Sequence, residues 1–239
     1  MAEQTSRANL NSAIDLFGKS YVLVRENLNV YTLVYAIPAA MVIAGVIQLI
    51  ANNQRHGWSW GHAFSSSFLG PNIGSNSSVH TASAILTIVL LLGAVVSYFL
   101  AIVLNLRVAG GQTPTLRSIW DEVTQDWLWA KLLGLGILTV LVLLVGFILL
   151  IIPGVIFLWR LFLAPYVLVD RKTSIMDALS QSWNMTKGYA WPIYSILLFS
   201  FVLALTGIIP IVGSLIAFGL GVAYAAAPAL RYQELKKQS

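Results

Sequence analysis

The sequence predicts an all-α integral membrane protein, a polytopic bundle of six transmembrane helices with about three amphipathic interfacial helices on its cytoplasmic side. Of its 239 residues, 58% are hydrophobic and only 10% are charged, whereas soluble domains carry about 25% charged residues. Six apolar segments alternate with polar stretches, as expected for helices that cross about 30 Å of hydrocarbon. Residues 1–239 are therefore expected to form a single integral membrane domain.

The apolar segments define the predicted spans, which cover about residues 30–51, 82–106, 130–152, 155–169, 190–209 and 211–230. The fourth span is the shortest, since a helix over 155–169 reaches only about 22 Å. It must extend into its flanks or lie where the bilayer is thin. Pro153-Gly154 and the stretch from Gly207 to Gly213 are tight, uncharged connections, so spans three and four, and spans five and six, are expected to form hairpins.

The distribution of basic residues predicts the orientation. Lys and Arg concentrate in the N-terminal arm, between the second and third spans, after Val169 and in the C-terminal tail, whereas the opposite side carries only Arg55, in an outer polar loop at 52–81. Basic loops remain on the cytoplasmic side of a membrane, so both termini are expected in the cytoplasm. No early apolar core with a small-residue cleavage site is present, and no cleaved signal peptide is expected.

Three amphipathic stretches each precede a pair of spans. The first is predicted at 8–28, the second is expected to begin at Thr113-Pro114 with an N-cap and a first-turn proline, and the third runs from a capping residue, Ser174, to Gly188. The apolar face of the first comprises Leu10, Ile14, Phe17, Tyr21, Val24 and Leu28. Two interpretations stay open: these helices pack beneath the bundle, or they lie in the headgroup layer.

The positions of the polar residues exclude several classes of chemistry. No Asp, Glu or His falls within a predicted span, so a proton relay or sodium site at midplane has no ionisable partner. The three histidines lie in the outer loop at spacings that match no zinc pattern, and the chain has no cysteine. We predict no catalytic residue, no cofactor, no metal and no enzyme activity. Nucleic-acid binding is not expected, because no segment can form a basic stripe with stacking aromatics.

Arg160 is a charge inside an otherwise apolar run, where an arginine costs at least about 2.5–3.5 kcal/mol. One interpretation is that it snorkels to the outer interface or bonds hairpin carbonyls. The other is a polar cavity in which it binds an anionic headgroup or solute. Residues proposed to line that cavity are Gln48, Ser97, Thr206 and Tyr224. On the cytoplasmic side, Arg171, Lys172 and Lys187 are further candidate contacts for anionic lipid.

The segment from Ile151 to Trp191 carries a spaced set of turn and polar residues, comprising Pro153, Gly154, Arg160, Pro165, Asp170, Ser182, Trp183 and Gly188. This pattern resembles that of bacterial six-span membrane proteins related to the membrane domain of glycerophosphoryl diester phosphodiesterase. The resemblance implies a bacterial inner-membrane location and a membrane part without the soluble catalytic barrel.

From these observations we expect a non-enzymatic protein that interacts with membrane lipids, or with other membrane proteins, at the cytoplasmic face. The first alternative is a transporter or facilitator of a small anionic or amphipathic solute. The second is a membrane enzyme that acts on lipid phosphodiesters. The sequence specifies neither the ligand nor the oligomeric state.

Overall fold

The computed structural model describes residues 10–56, 77–149, 151–209 and 212–238. All regular secondary structure in these ranges is helical, with short 3₁₀ turns at Gln125–Trp127 and Thr206–Ile208. The α-helices of the described ranges are α1 (Ala13–Glu26), α2 (Leu28–Val34), α3 (Ala36–His56), α4 (Ser77–Ala109), α5 (Leu116–Thr124), α6 (Leu128–Leu149), α7 (Ile151–Leu161), α8 (Ala164–Arg171), α9 (Ile175–Met185), α10 (Ala190–Leu205), α11 (Val212–Ala223) and α12 (Ala227–Lys236).

Five stretches of the described residues are long and apolar enough to cross a membrane, and the number is six if α2 and α3 form one bent span. The five are Ile88–Ala109, Leu116–Leu149, Ile152–Arg171, Ala190–Ile208 and Val212–Lys236. These lengths and compositions are those of a multi-pass membrane protein. The predicted all-helical class is confirmed, with five or six spans. The predicted outer loop lies mostly outside the described residues, except that 52–56 and 77–81 are helical.

The first predicted span, 30–51, is not one straight helix. Helix α2 ends at Val34, and the axis turns by 59° before α3. Pro38 accounts for the break, because it lacks the N–H that would bond the Val34 carbonyl and its ring would clash with that carbonyl. The chain therefore has an elbow at Tyr35 where hydropathy alone predicts a continuous helix.

The third and fourth spans form the expected hairpin, but its turn is not at Pro153-Gly154. Both residues lie in the first turn of α7, where a proline needs no N–H partner. Gly154 permits close helix packing, since a Cβ there would lie 2.6 Å from the Phe147 ring. Helix α7 breaks before Pro165, yet the apolar stretch Ile152–Arg171, which covers most of α7 and all of α8, spans 20 residues. The fourth span is thus longer than the predicted 155–169.

The ends of the second and third predicted amphipathic helices, α5 and α9, agree with the sequence prediction in part. Helix α5 begins after Thr115, whose hydroxyl accepts a 3.2 Å hydrogen bond from the Ser118 N–H, so the predicted start at Thr113-Pro114 is wrong. The start of α9 is confirmed, since the Ser174 hydroxyl accepts a 3.2 Å bond from the Asp177 N–H. Gly188 has a φ of +85°, which favours glycine, and it turns the chain from α9 towards α10.

The buried residues concentrate at one end of the bundle, here called the packed end. It comprises α1, α2, the last part of α4, α5, the start of α6, the end of α7, α8, α9, the first part of α10 and α12. Farther along the spans the apolar side chains are exposed, as at Leu92, Ile148 and Phe201. Such faces suit contact with lipid chains, which replace water around a membrane helix. The protein thus combines a compact end with a looser, lipid-facing part.

Helix α1 packs on the bundle through a face that matches the predicted stripe in part, since Val24 is buried and Leu10 and Phe17 pack against the core. Its buried residues are Ala13, Leu16, Ser20 and Val24, whereas the predicted members Ile14, Tyr21 and Leu28 are exposed. The Ser20 hydroxyl donates 2.7 Å to the Ala223 carbonyl and accepts 3.1 Å from the Ala226 N–H. Helix α1 is therefore fixed at the break between α11 and α12 while it keeps a second apolar face exposed.

Candidate functional site

Arg160 lies in the last turn of α7, against the end of α9. Its Nη1 donates a 2.8 Å hydrogen bond to the Trp183 carbonyl, and its guanidinium carbon is 4.2 Å from the Trp159 ring centroid and 4.9 Å from that of Trp183. The carbonyls in the last turn of a helix lack intrahelical partners and carry the negative end of the helix dipole. The arginine therefore caps α9 while its charge rests between two aromatic faces.

The end of α7 is capped in return by α9. Ser182 is fully buried, and its hydroxyl donates a 2.7 Å hydrogen bond to the main-chain carbonyl of Arg160. Because Pro165 follows, the last carbonyls of α7 cannot all be bonded by a continuing helix. We call the contacts among Arg160, Ser182 and Trp183 the double cap. Each helix end supplies the hydrogen-bond partner that the other needs.

Within the described residues, the hydrogen bonds and ring contacts of Arg160 do not involve Ser97, Thr206 or Tyr224, three of the residues proposed to line a cavity around it. The Thr206 hydroxyl donates 2.7 Å to the Leu203 carbonyl, and Tyr224 packs on Phe199 with ring centroids 5.0 Å apart. The Gln48 side chain lies outside the described part. The carbonyl that Arg160 bonds belongs to α9 and not to the hairpin, so this part of the prediction is wrong. The cost of the charge is offset by tertiary contacts with α9.

The other candidate basic residues flank α9 at its two ends. Arg171 donates 2.6 Å to the Gln181 side-chain oxygen, and the Lys172 ammonium is 3.9 Å from the Asp126 carboxylate. Lys187 is exposed beyond the other end. The 11 residues of α9 separate the two ends by about 16 Å. The four candidates therefore form a border around one helix and not a single binding pocket.

Tryptophans stand at the boundary between the packed end and the lipid-facing spans. Trp127 and Trp191 are 70% and 78% exposed, and they lie at the starts of α6 and α10, with Lys131 and Lys187 nearby in sequence. Tryptophan is enriched at membrane–water interfaces, where its ring meets both apolar and polar surroundings. This arrangement is the one expected where the packed end meets a headgroup layer.

Asp170, another residue of the resemblance, joins α8 to α12. Its Oδ2 accepts a 2.7 Å hydrogen bond from the Tyr232 hydroxyl and a 2.6 Å bond from the Lys236 ammonium. On the adjoining side of the packed end, the Arg107 Nε donates 2.9 Å to the Glu122 carboxylate. These charged groups therefore hold helices together, and the Asp170 and Glu122 carboxylates are already engaged by cations.

Arg231 is a buried charge that the sequence does not reveal, since it is indistinguishable from the basic residues of a solvated tail. The structure buries it completely. It donates 2.7 Å to the Glu234 carboxylate and 2.7 Å to the Asn11 carbonyl. The signal that could have found it is Glu234 three residues later on the same helical face. Such a pair stabilises only while both partners are present.

A cavity of about 300 Å³, here called the central cavity, lies between α4, α8 and the α11–α12 break. Its lining includes Tyr35, Asn105 and Tyr166, and the buried Tyr31 hydroxyl behind it donates 2.7 Å to the Asn105 side-chain oxygen. The lining residues are uncharged. The central cavity therefore suits water or a small neutral molecule better than an anion.

No protein-family model matches the chain, and no curated protein or solved structure matches it either. The resemblance to the phosphodiesterase-related membrane proteins therefore stays a prediction. Within the described residues, no group of three or more His, Asp or Glu side chains could hold a metal ion.

Proposed function

We propose that the chain is a non-enzymatic, multi-pass protein of a bacterial inner membrane that binds anionic lipids around α9, with both termini in the cytoplasm. The observation that carries the proposal is the border of exposed tryptophan and basic residues where the packed end meets the lipid-facing spans. Arg171, Lys172 and Lys187 flank α9 there. Basic residues near a membrane surface each contribute about 1 kcal/mol to the attraction of anionic lipid.

Lipid retention tests this function. The full chain is purified in detergent and titrated with phosphatidylglycerol or with phosphatidylcholine of the same acyl chains, and bound lipids are counted by native mass spectrometry. We expect selective retention of phosphatidylglycerol, and weaker selectivity when Arg171, Lys172 and Lys187 are all changed to glutamine. The control changes Lys19, Arg117 and Lys237 to glutamine, which removes the same charge. Equal retention of both lipids by the unaltered chain would contradict the proposal.

A second candidate function is facilitated movement of a small solute, and the central cavity is the observation that favours it. Because its lining carries Asn105 and tyrosine side chains but no charge, an uncharged hydrogen-bonding solute fits better than the anion predicted from Arg160. Proteoliposomes are tested for glycerol and urea entry by light scattering, with Asn105→Leu as the blocking variant. Rates equal to those of protein-free vesicles would exclude this candidate for these solutes. No observation on the described residues favours the lipid phosphodiesterase alternative.

A further inference from the structure

A second and larger cavity opens at the elbow between α2 and α3. We call it the elbow groove; its volume is about 660 Å³, within the roughly 300–1,000 Å³ of ligand pockets. Tyr31 and Tyr35 both line it, and Tyr31 is almost completely buried. The rings of Tyr31 and Tyr35 stack with centroids 6.1 Å apart, and Phe218 of α11 meets Tyr35 edge-on at 6.5 Å. The groove thus has an aromatic floor.

The elbow groove exists because two sequence features leave space beside α11. The 59° bend at Tyr35 directs α2 and α3 along different lines, so one helix cannot cover the whole of α11. Gly219 lines the groove, and a Cβ added there would meet no heavy atom of the described residues within 4 Å. A larger side chain at Gly219 would therefore enter the open space without displacing the backbone.

The mouth of the elbow groove has one charge. Among its described lining residues, Arg25 alone is charged, and it is exposed. No hydrogen bond or ion pair within the described part of the chain engages it. Tyr21 and Leu28 lie beside it and are about half exposed. An apolar channel with a free guanidinium at its opening is complementary to an acyl chain that ends in an anionic headgroup.

We infer that the elbow groove binds one anionic phospholipid, with an acyl chain over Tyr35 and Phe218 and the phosphate at Arg25. The inference rests on the proposed lipid-binding function and gives that function a specific site, separate from the basic residues around α9. The surrounding lipid is the natural occupant, because the groove lies beside spans that expose their apolar side chains. Charge complementarity at Arg25 selects the anionic class.

The test uses two variants of the full chain, each with a matched control on the same helix. Gly219→Leu fills the elbow groove, and Gly221→Leu places the same side chain in open space outside it. Arg25→Gln removes the charge at the mouth, and Lys19→Gln removes a charge of α1 that does not line the groove. Phosphatidylglycerol and matched phosphatidylcholine are titrated onto each detergent-purified protein, and the tightest-bound lipid is followed by native mass spectrometry.

We expect one tightly bound phosphatidylglycerol, weakened roughly tenfold or more by Arg25→Gln, the change expected from loss of one charge-assisted hydrogen bond. Gly219→Leu removes it, and both controls retain it. Unchanged binding in Gly219→Leu would overturn the groove site, while selective retention that depends on the α9 residues would leave the proposed function standing. Equal affinity for phosphatidylcholine in the tight site would overturn the role of Arg25. If the unaltered chain retained phosphatidylglycerol and phosphatidylcholine equally, both proposals would be refuted.

Discussion

The Ser182 hydroxyl donates a 2.7 Å hydrogen bond to the Arg160 carbonyl, and the Arg160 side chain donates 2.8 Å to the carbonyl of the next residue, Trp183. The two bonds run in opposite directions between the ends of α7 and α9. The Ser182 bond to the Arg160 carbonyl is partly buried, and a buried helix-end carbonyl without a partner costs free energy. Docking α9 on α7 therefore gives a carbonyl at the end of each helix a hydrogen-bond donor. It also places the charge of Arg160 near the negative end of the α9 dipole, which favours it.

The Ser182 bond makes a first prediction. Ser182→Ala leaves the Arg160 carbonyl with only the weak 3.4 Å contact from Thr186, so the free energy of unfolding should fall by about 1–3 kcal/mol. The thermal unfolding midpoint in detergent measures this change. Ser180→Ala is the matched control on the same helix, since Ser180 is exposed, and its effect should stay within about 0.5 kcal/mol. Equal midpoints for the two variants would contradict the role of Ser182.

The aromatic contacts of Arg160 make a second prediction. Arg160→Lys keeps the charge but removes the planar group that lies between Trp159 and Trp183, and a lysine cannot reproduce stacking together with the Trp183 bond. We expect a loss of about 1–2 kcal/mol and a changed near-ultraviolet circular dichroism spectrum. Arg117→Lys, at an exposed position of α5, should leave both unchanged. If the Arg160→Lys variant kept the stability and the spectrum of the unaltered protein, the charge alone would account for the role of Arg160 in stability.

The positions of the spans could be predicted because hydropathy is summed over many residues, so single errors average out. The predicted fifth span, 190–209, and the observed Ala190–Ile208 agree closely. The hairpin turn was misplaced because Pro-Gly is typical of turns, whereas proline alone is also common at the start of a helix. The bend before Pro38 was missed because hydropathy does not register the lost hydrogen bond of a proline.

The contacts of the candidate site could not be predicted in the same way. The sequence identifies Arg160 as unusual, but its partners lie more than twenty residues away on α9, and only tertiary docking brings them together. For the same reason the sequence does not indicate the role of Ser20. This small polar residue is not part of the apolar stripe of α1, yet its hydroxyl bond to the Ala223 carbonyl anchors the helix. Which polar residue bonds a buried carbonyl depends on how neighbouring helix ends are placed in space. The periodicity of the sequence carries no information about that placement.

Asp170 and Tyr232 make a third prediction, on the contact between α8 and α12. Tyr232→Phe removes the 2.7 Å bond to the carboxylate and should lower the free energy of unfolding by roughly 1.5–3 kcal/mol, the range for a hydrogen bond to a charged group. Asp170→Asn weakens the same bond and also the pairing with Lys236. Combined, the two changes should be less than additive by about 0.5–3 kcal/mol, as for residues in direct contact. Strict additivity of the midpoints would disprove the coupling.

The hairpin between α10 and α11 makes the last prediction, because it requires a glycine at one position. A Cβ at Gly213 would lie 2.2 Å from the Thr206 carbonyl oxygen, and a backbone atom cannot move aside as a flexible side chain can. Gly213→Ala should therefore destabilise the protein by about 1–3 kcal/mol, the cost of overpacking. Gly221→Ala, in the same helix but in open space, should instead stabilise it by about 0.5–1 kcal/mol through lower chain entropy in the unfolded state. The same Gly-to-Ala change, made at two positions eight residues apart, should therefore shift the unfolding midpoint in opposite directions. Equal shifts would mean that α10 and α11 do not approach each other this closely at the hairpin.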